Sequence, residues 1–195
     1  MRVVVSLSVM TLLTESVLPN VPEVSADERA ARLTDAGGVW GDRIAAERTA
    51  AHLTYRVRGT GDGAVATRIT AGAHTFVVDE PAALAGDDVA ASPVEYALAA
   101  LISCQVVVYR LYAQALGIRV DDISVTAEGD LDAARLFGAD ESVRAGFTGV
   151  RLHVELTGPE TQERYENLRD AVDAHCPVLD LFQNPTPVTT TVAKA

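Results

Sequence analysis

Short runs of alternating apolar and polar residues mark the middle of the chain, and such runs are typical of β-strands with one buried face. The first run covers residues 50–57, the second extends from Val65 to Ile69, and the third covers residues 75–78. The glycine-rich segment 59–63 predicts a turn between the first two runs. Three strands in succession indicate an antiparallel meander.

The segment from Ser92 to Gly117 carries signals for both ends of a long helix. Ser92 suits the N-cap, Pro93 the first helical position and Glu95 the third position of a capping box. Gly117 suits the left-handed residue that follows a helix. Between these ends almost no polar face remains, so we expect a central helix that is enclosed on all sides. Cys104 lies about three turns into this helix.

Two further alternating runs, 118–127 and 149–157, predict strands separated by a polar loop. A capping-box pattern at 157–160 predicts the start of a second, amphipathic helix that ends near His175–Pro177, where the proline can also start a new turn. A last short strand is predicted at 187–192. The order is three strands, a helix, two strands, a helix and a strand. This order predicts an α+β fold in which long helices cover an antiparallel sheet.

The N-terminal part has its own signals. Ser25 and Glu28 form a capping-box pattern that predicts a short helix ending at Gly37–Gly38. The apolar opening 1–13 contains two serines and is followed by no small-x-small cleavage site, so we interpret it as a strand or docking segment rather than a signal peptide. We therefore divide the chain into an N-terminal appendage, 1–45, with a strand and a short helix, and a main domain, 46–195.

Charge and composition limit the partners. The formal net charge of −11 repels phosphate backbones and anionic lipid surfaces, so we expect neither nucleic acid nor a membrane as a partner. No stretch approaches the roughly 20 apolar residues that span a bilayer. We expect a cytoplasmic protein, and in a reducing cytosol its two cysteines would be free or redox-active thiols.

The sequence does not indicate a nucleotide cofactor or a metal ion. The chain has no glycine-rich dinucleotide motif, so we expect no nicotinamide or flavin cofactor. Its four histidines lack the spacing of metal ligands, so we assign no metal.

The helix around Cys104 belongs to an ordered set of motifs. Residues 92–104, SPVEYALAALISC, resemble the helix that bears the peroxide-reactive cysteine in the OsmC/Ohr family of hydroperoxide reductases. Shorter similarities occur in the family's order and extend the resemblance over about residues 50–195: Asp79-Glu80-Pro81, Tyr112-Ala113, Gly117-Ile118, Glu128-Gly129-Asp130 and Cys176-Pro177-Val178.

The resemblance implies an OsmC-like fold that forms an intertwined homodimer, with the active sites at the subunit boundary. It also implies a thiol-dependent peroxidase that reduces organic hydroperoxides. A thiolate at Cys104 would attack the hydroperoxide and become a sulfenic acid, and Cys176 would condense with it to form a disulfide. An external thiol or a lipoyl-type protein would then reduce that disulfide.

An apolar surround disfavours the thiolate that this chemistry needs. In the family, an arginine from an early strand offsets this effect and is held by a glutamate near the start of the cysteine helix. Arg58 is the candidate here, with Arg56 and Arg68 as competitors. Glu95 is the candidate glutamate, although in the hydroperoxide-reductase branch the glutamate directly follows the proline, where this chain has Val94.

Each of these residues also has a purely structural interpretation. Both cysteines could be ordinary core residues, Glu95 a capping residue, and Arg58 a solvated charge at a strand edge. Two alternative functions also remain. One is a different thiol enzyme on the same scaffold, such as a hydrolase, which would need a base beside Cys104. The other is a non-catalytic binder of small apolar molecules.

Overall fold

The computed structural model describes residues 19–194, which form helices and two small antiparallel sheets. The helices are α1 (Ala26–Ala46), α2 (Pro93–Ala115), α3 (Gln162–Asp173) and α4 (Pro177–Gln183), and the strands are β1 (Val57–Asp62), β2 (Ala66–Ala71), β3 (His74–Val78), β4 (Asp122–Asp130) and β5 (Gly149–Thr157). Short 3₁₀ turns lie at Arg48–Ala51 and Ala82–Leu84. The α+β fold class is confirmed.

The two sheets have different surroundings. Strands β1, β2 and β3 form an antiparallel meander in which Gly59 lies opposite Ile69, and Ile69 opposite Phe76. Every residue of β1 is exposed. Strands β4 and β5 form a separate ladder, with Val125 opposite Val154. Alternate residues of this ladder are half-buried because its inner face packs against the helices.

Helix α2 lies at the centre of the core and packs against α1, α3, α4 and β4. Both predicted ends are confirmed: Ser92 caps the first turn together with Glu95, and Gly117 adopts a left-handed φ of 61°. Leu101 and Val108 of α2 meet Leu168 and Val172 of α3 and Leu179 of α4 in one apolar cluster.

The prediction that α2 is enclosed on all sides is wrong for the single chain. Its buried residues lie on one side of the helix: Leu101, Gln105, Val108, Tyr109 and Ala113. On the other side Val107 is 56% exposed and Leu111 is 36% exposed. The prediction that no segment is long and apolar enough to span a membrane is also wrong, because α2 has the required length and composition. Length and composition alone do not identify a membrane span, since the core helix of a soluble protein has the same properties.

Several predicted boundaries are wrong. The first strand covers residues 57–62, not 50–57. The glycines at 59 and 61 continue that strand, and a Cβ at Gly59 would approach Ile69 Cδ1 to 3.2 Å. The reversal comes at Gly63, whose φ is 54°. Helix α1 continues through Gly37–Gly38 to Ala46 because neither glycine adopts the left-handed conformation that ends a helix.

The later boundaries also shift. Strand β4 covers 122–130 instead of 118–127. Helix α3 is capped by Thr161, because Thr157 still pairs with Asp122 as the last residue of β5. Residues 187–192 form no strand, since no strand in the described part of the chain pairs with them. The predicted segment at 1–13 lies outside the described residues, and the division at residue 45 stays a prediction.

Candidate active site

The two cysteines are brought together by α2 and the start of α4. Cys104 lies near the middle of α2 and is half-buried, while Cys176 is the N-cap residue of α4 and is only 2% exposed. Both thiols are free, and Cys176 lies close enough to Cys104 to affect the pKa of its thiol. The structure therefore places the predicted pair side by side.

Local packing fixes this arrangement. Pro177 occupies the first turn of α4, and the Cys176 carbonyl accepts a hydrogen bond from the Asp180 N–H at 3.0 Å. Leu179 then packs into the core with α2 and α3. Because the turn between α3 and α4 is held by the core at both ends, Cys176 is directed towards α2.

The surroundings of Cys104 act on its pKa in opposite directions. Burial raises the pKa of the Cys104 thiol, and the neighbouring Cys176 raises it further. The backbone N–H of Val178 lies near the Cys104 sulfur and lowers the pKa. The pKa nevertheless lies above its usual value, so the thiol form predominates at neutral pH. An additional positive charge would be needed to favour the thiolate.

An aromatic contact supports the segment before Cys176. The ring of His175 packs against Tyr112 of α2, with 4.5 Å between the ring centroids. The His175 Nδ1 atom lies 2.7 Å from the Ala171 carbonyl oxygen. His175 thus links the end of α3 to α2.

The predicted arginines lie away from the cysteine pair within one chain. Arg58 is on the exposed strand β1, and Arg56 is exposed just before it. Arg68 on β2 forms an ion pair with Asp62 at 3.0 Å. Among the described residues, no arginine contributes to the shift of the Cys104 pKa.

The sheet that carries these arginines meets α2 near its first turns. The Tyr96 hydroxyl donates a hydrogen bond to the Val77 carbonyl at 3.0 Å, and Phe76 stacks on Tyr96 at 5.2 Å. Cys104 lies two turns further along α2. The chain's own fold therefore leaves Arg58 and Cys104 apart.

Glu95 acts as a helix cap. One of its carboxylate oxygens accepts hydrogen bonds from the Ser92 N–H and the Ser92 hydroxyl, each at 2.7 Å. These bonds lower the pKa of Glu95. Because the carboxylate is already bound to Ser92, the structure supports the capping interpretation of Glu95 and does not bring it to Cys104.

Sequence reasoning missed two features of this site. The Val178 N–H is a backbone group, and the only signal for it is Pro177, which marks a helix start and hence free N–H groups. The buried Gln105, next to Cys104 on α2, is polar within an apolar run. No group of three or more potential metal ligands occurs in the described residues.

Comparison with known proteins decides the family. The family profile described as OsmC-like protein matches residues 86–191, just over half of the chain. The chain belongs to the OsmC-like family. The resemblance found in the sequence is thereby confirmed, together with the fold. No protein with a curated description matches the chain.

Solved structures of OsmC-like proteins share this fold. An OsmC-like protein from Mycoplasma pneumoniae is 17% identical, with a TM-score of 0.60, over 67% of this chain and 88% of that one. A Legionella pneumophila organic hydroperoxide resistance protein is 25% identical, with a TM-score of 0.54, over 68% and 91%. An organic hydroperoxide resistance protein from Elizabethkingia anophelis is 22% identical, with a TM-score of 0.52, over 68% and 89%.

Proposed function

We propose that this OsmC-like protein is a thiol-dependent peroxidase that reduces organic hydroperoxides in the response to oxidative stress. The Cys104 thiolate attacks the O–O bond, forms a sulfenic acid and releases the alcohol after protonation. The Cys176 thiol then displaces water from the sulfenic acid and forms the Cys104–Cys176 disulfide. An external dithiol, such as a lipoyl-type protein, returns both residues to thiols and is itself oxidised to a disulfide.

The contact between the two thiols is the observation that carries this proposal. A disulfide requires Cβ atoms about 4 Å apart, and the two cysteines are close enough for Cys176 to affect the pKa of Cys104, so a limited adjustment would bring them to that distance. The Legionella relative, named for organic hydroperoxide resistance, supports the same class of substrate. Free thiols suit a cytoplasmic location, where the reducing environment maintains them.

The proposal includes a homodimer. The chain exposes apolar side chains on two of its elements. Tyr55, just before β1, and Val57, the first residue of β1, are 84% and 65% exposed, and α2 has its own exposed apolar side. A second copy that packs on these surfaces would bury them.

The same dimer would supply the missing charge. Arg58 lies on β1, every residue of which is exposed in the single chain. If β1 of a second copy lies across α2, its Arg58 can approach Cys104 at the subunit boundary. A guanidinium there would lower the Cys104 pKa and offset the effect of burial.

Single substitutions test the reaction. Purified protein is incubated with cumene hydroperoxide and dihydrolipoamide, and peroxide loss is followed. Cys104→Ser is expected to abolish turnover. Cys176→Ser is expected to consume about one equivalent of peroxide and to leave a sulfenic acid that dimedone traps. Ser103→Ala, the neighbouring position on α2, serves as the matched control and is expected to keep full activity.

Other results would favour the alternatives. Normal peroxide loss in Cys104→Ser would remove Cys104 from the reaction. Absence of turnover in the wild-type protein, with both thiols unreacted, would favour the non-catalytic binder. Acylation of Cys104 by an activated ester, followed by hydrolysis, would favour a hydrolase.

A further inference from the structure

A cavity lies between α2, α3, α4, β5 and the loop that precedes β5. Its volume is about 640 Å³, within the range of pockets that hold small organic ligands. Its walls combine apolar side chains with polar and charged ones; the apolar ones include Leu101, Val150, Leu152, Leu179 and Phe182, and the others include Gln105, Arg144 and Asp173. Neither cysteine lines it, so it is distinct from the candidate active site.

Gln105 gives this cavity an unused hydrogen-bond donor. Its side chain lines the cavity and is only 1% exposed. The Nε2 atom is buried and has no hydrogen-bond partner among the described residues. A buried donor without an acceptor destabilises the fold, so such groups normally have a partner. A ligand oxygen in the cavity would provide that acceptor.

Asp173 restricts the charge of such a ligand. It lines the same cavity, and its carboxylate lies near Gln105, although the two side chains do not form a hydrogen bond of normal geometry. Burial is the main cause of its raised pKa, Asp170 raises it further, and Arg169 and Gln105 lower it. Arg169 is itself paired with Asp170 at 2.6 Å. A carboxylate ligand beside Asp173 would therefore be repelled, whereas a hydroxyl could accept from Gln105 and donate to Asp173.

We propose that this cavity binds a neutral aliphatic alcohol, with its hydroxyl between Gln105 and Asp173 and its chain along Leu152, Leu179 and Phe182. The apolar side chains contact the aliphatic chain, and the polar pair selects the head group. The site is independent of the thiol chemistry, because it uses different side chains of α2 and α4.

Titration of the full-length reduced protein with octan-1-ol, followed by calorimetry, tests the proposal. One saturable site per chain is expected. Gln105→Leu, which keeps the side-chain size but removes the donor, is expected to weaken binding about tenfold. Gln114→Leu is the matched control, since Gln114 lies on the same helix and outside the cavity, and its affinity is expected to be unchanged.

Octanoate tests the role of Asp173. It is expected to bind the wild-type protein at least about tenfold more weakly than octan-1-ol, and Asp173→Asn is expected to close that gap. Equal affinity for both probes in the wild-type protein would place the head group at Arg144, on the open side of the cavity, and would overturn the proposal. Unchanged octan-1-ol binding in Gln105→Leu, or no saturable binding, would overturn it as well.

Discussion

The reactivity of Cys104 depends on the groups around one sulfur atom. Burial and the neighbouring Cys176 raise its pKa, and the Val178 N–H opposes them. Because only the thiolate attacks a hydroperoxide, the rate should increase as the pH rises through the Cys104 pKa. Each group that bonds to the sulfur therefore sets the pH range of activity.

Removal of the Val178 N–H is expected to move that range upwards. Val178→Pro deletes the donor at a position in the first turn of α4 where the N–H has no partner within the helix. The pKa of Cys104, measured as the midpoint of its alkylation rate against pH, should rise by roughly one unit. Peroxide turnover at neutral pH should fall accordingly.

Val178→Ala is the control for this experiment, because it shortens the side chain and keeps the N–H. It should leave the alkylation midpoint unchanged. An equal midpoint in both variants, with the helical content intact by circular dichroism, would show that the Val178 amide does not stabilise the thiolate.

At the scale of elements, α2 carries Cys104 and has the clearest sequence signals for its two ends. Its first turn is closed by reciprocal bonds between Ser92 and Glu95. The same glutamate was a candidate for holding an arginine. Capping requires only an acceptor oxygen, which glutamine also provides, whereas an ionic role requires the charge.

Two substitutions separate these roles of Glu95. Glu95→Gln is expected to keep both peroxide turnover and the free energy of unfolding, since the cap is retained. Glu95→Ala is expected to lower the free energy of unfolding by about 1 kcal/mol in urea denaturation. A large loss of turnover in Glu95→Gln at unchanged stability would instead assign Glu95 an ionic role.

Elements with local signals could be predicted from the sequence, and elements that depend on neighbours could not. Ser92 and Gly117 interact only with residues nearby in the sequence, so the sequence predicts both ends of α2 correctly. The glycines at 59 and 61 suggested a turn, yet their strand is fixed by pairing with β2. Helix α1 continues past Gly37–Gly38 because neither glycine adopts the left-handed conformation that ends a helix.

The same distinction between local signals and contacts with neighbouring elements applies to the candidate site. The family motif identified Cys104 and Cys176, but their contact depends on how the α3–α4 turn packs on α2. The Val178 N–H is a backbone group, so a pattern of side chains does not predict its role. Arg58 could not be placed because its position relative to Cys104 depends on the packing of a sheet whose first strand is exposed throughout.

At the scale of the whole molecule, the proposed dimer would cover the exposed meander and the exposed side of α2. The apolar surfaces of residues 55–57 and of Val107 are the ones that such a copy would cover. If the proposed dimer is correct, each active site combines Cys104 of one chain with Arg58 of the other. Defects in these two residues should then complement each other between chains.

A mixture of Cys104→Ser and Arg58→Ala protein tests this arrangement. The two variants are unfolded together in urea and refolded so that the chains exchange. Random pairing makes half of the dimers mixed, each with one intact site, so about a quarter of the wild-type turnover is expected. Each variant refolded alone provides the baseline. Turnover no higher than this baseline would mean that Arg58 and Cys104 act within one chain.

The central claim is that Cys104 and Cys176 form a redox pair, and its most direct measurement is peptide mapping after oxidation. The reduced protein is treated with one equivalent of cumene hydroperoxide, alkylated and digested without reductant. We predict stoichiometric loss of both thiols and a single linked peptide pair that joins Cys104 to Cys176 within one chain. Recovery of both cysteines as alkylated thiols, after the peroxide has been consumed, would contradict the account.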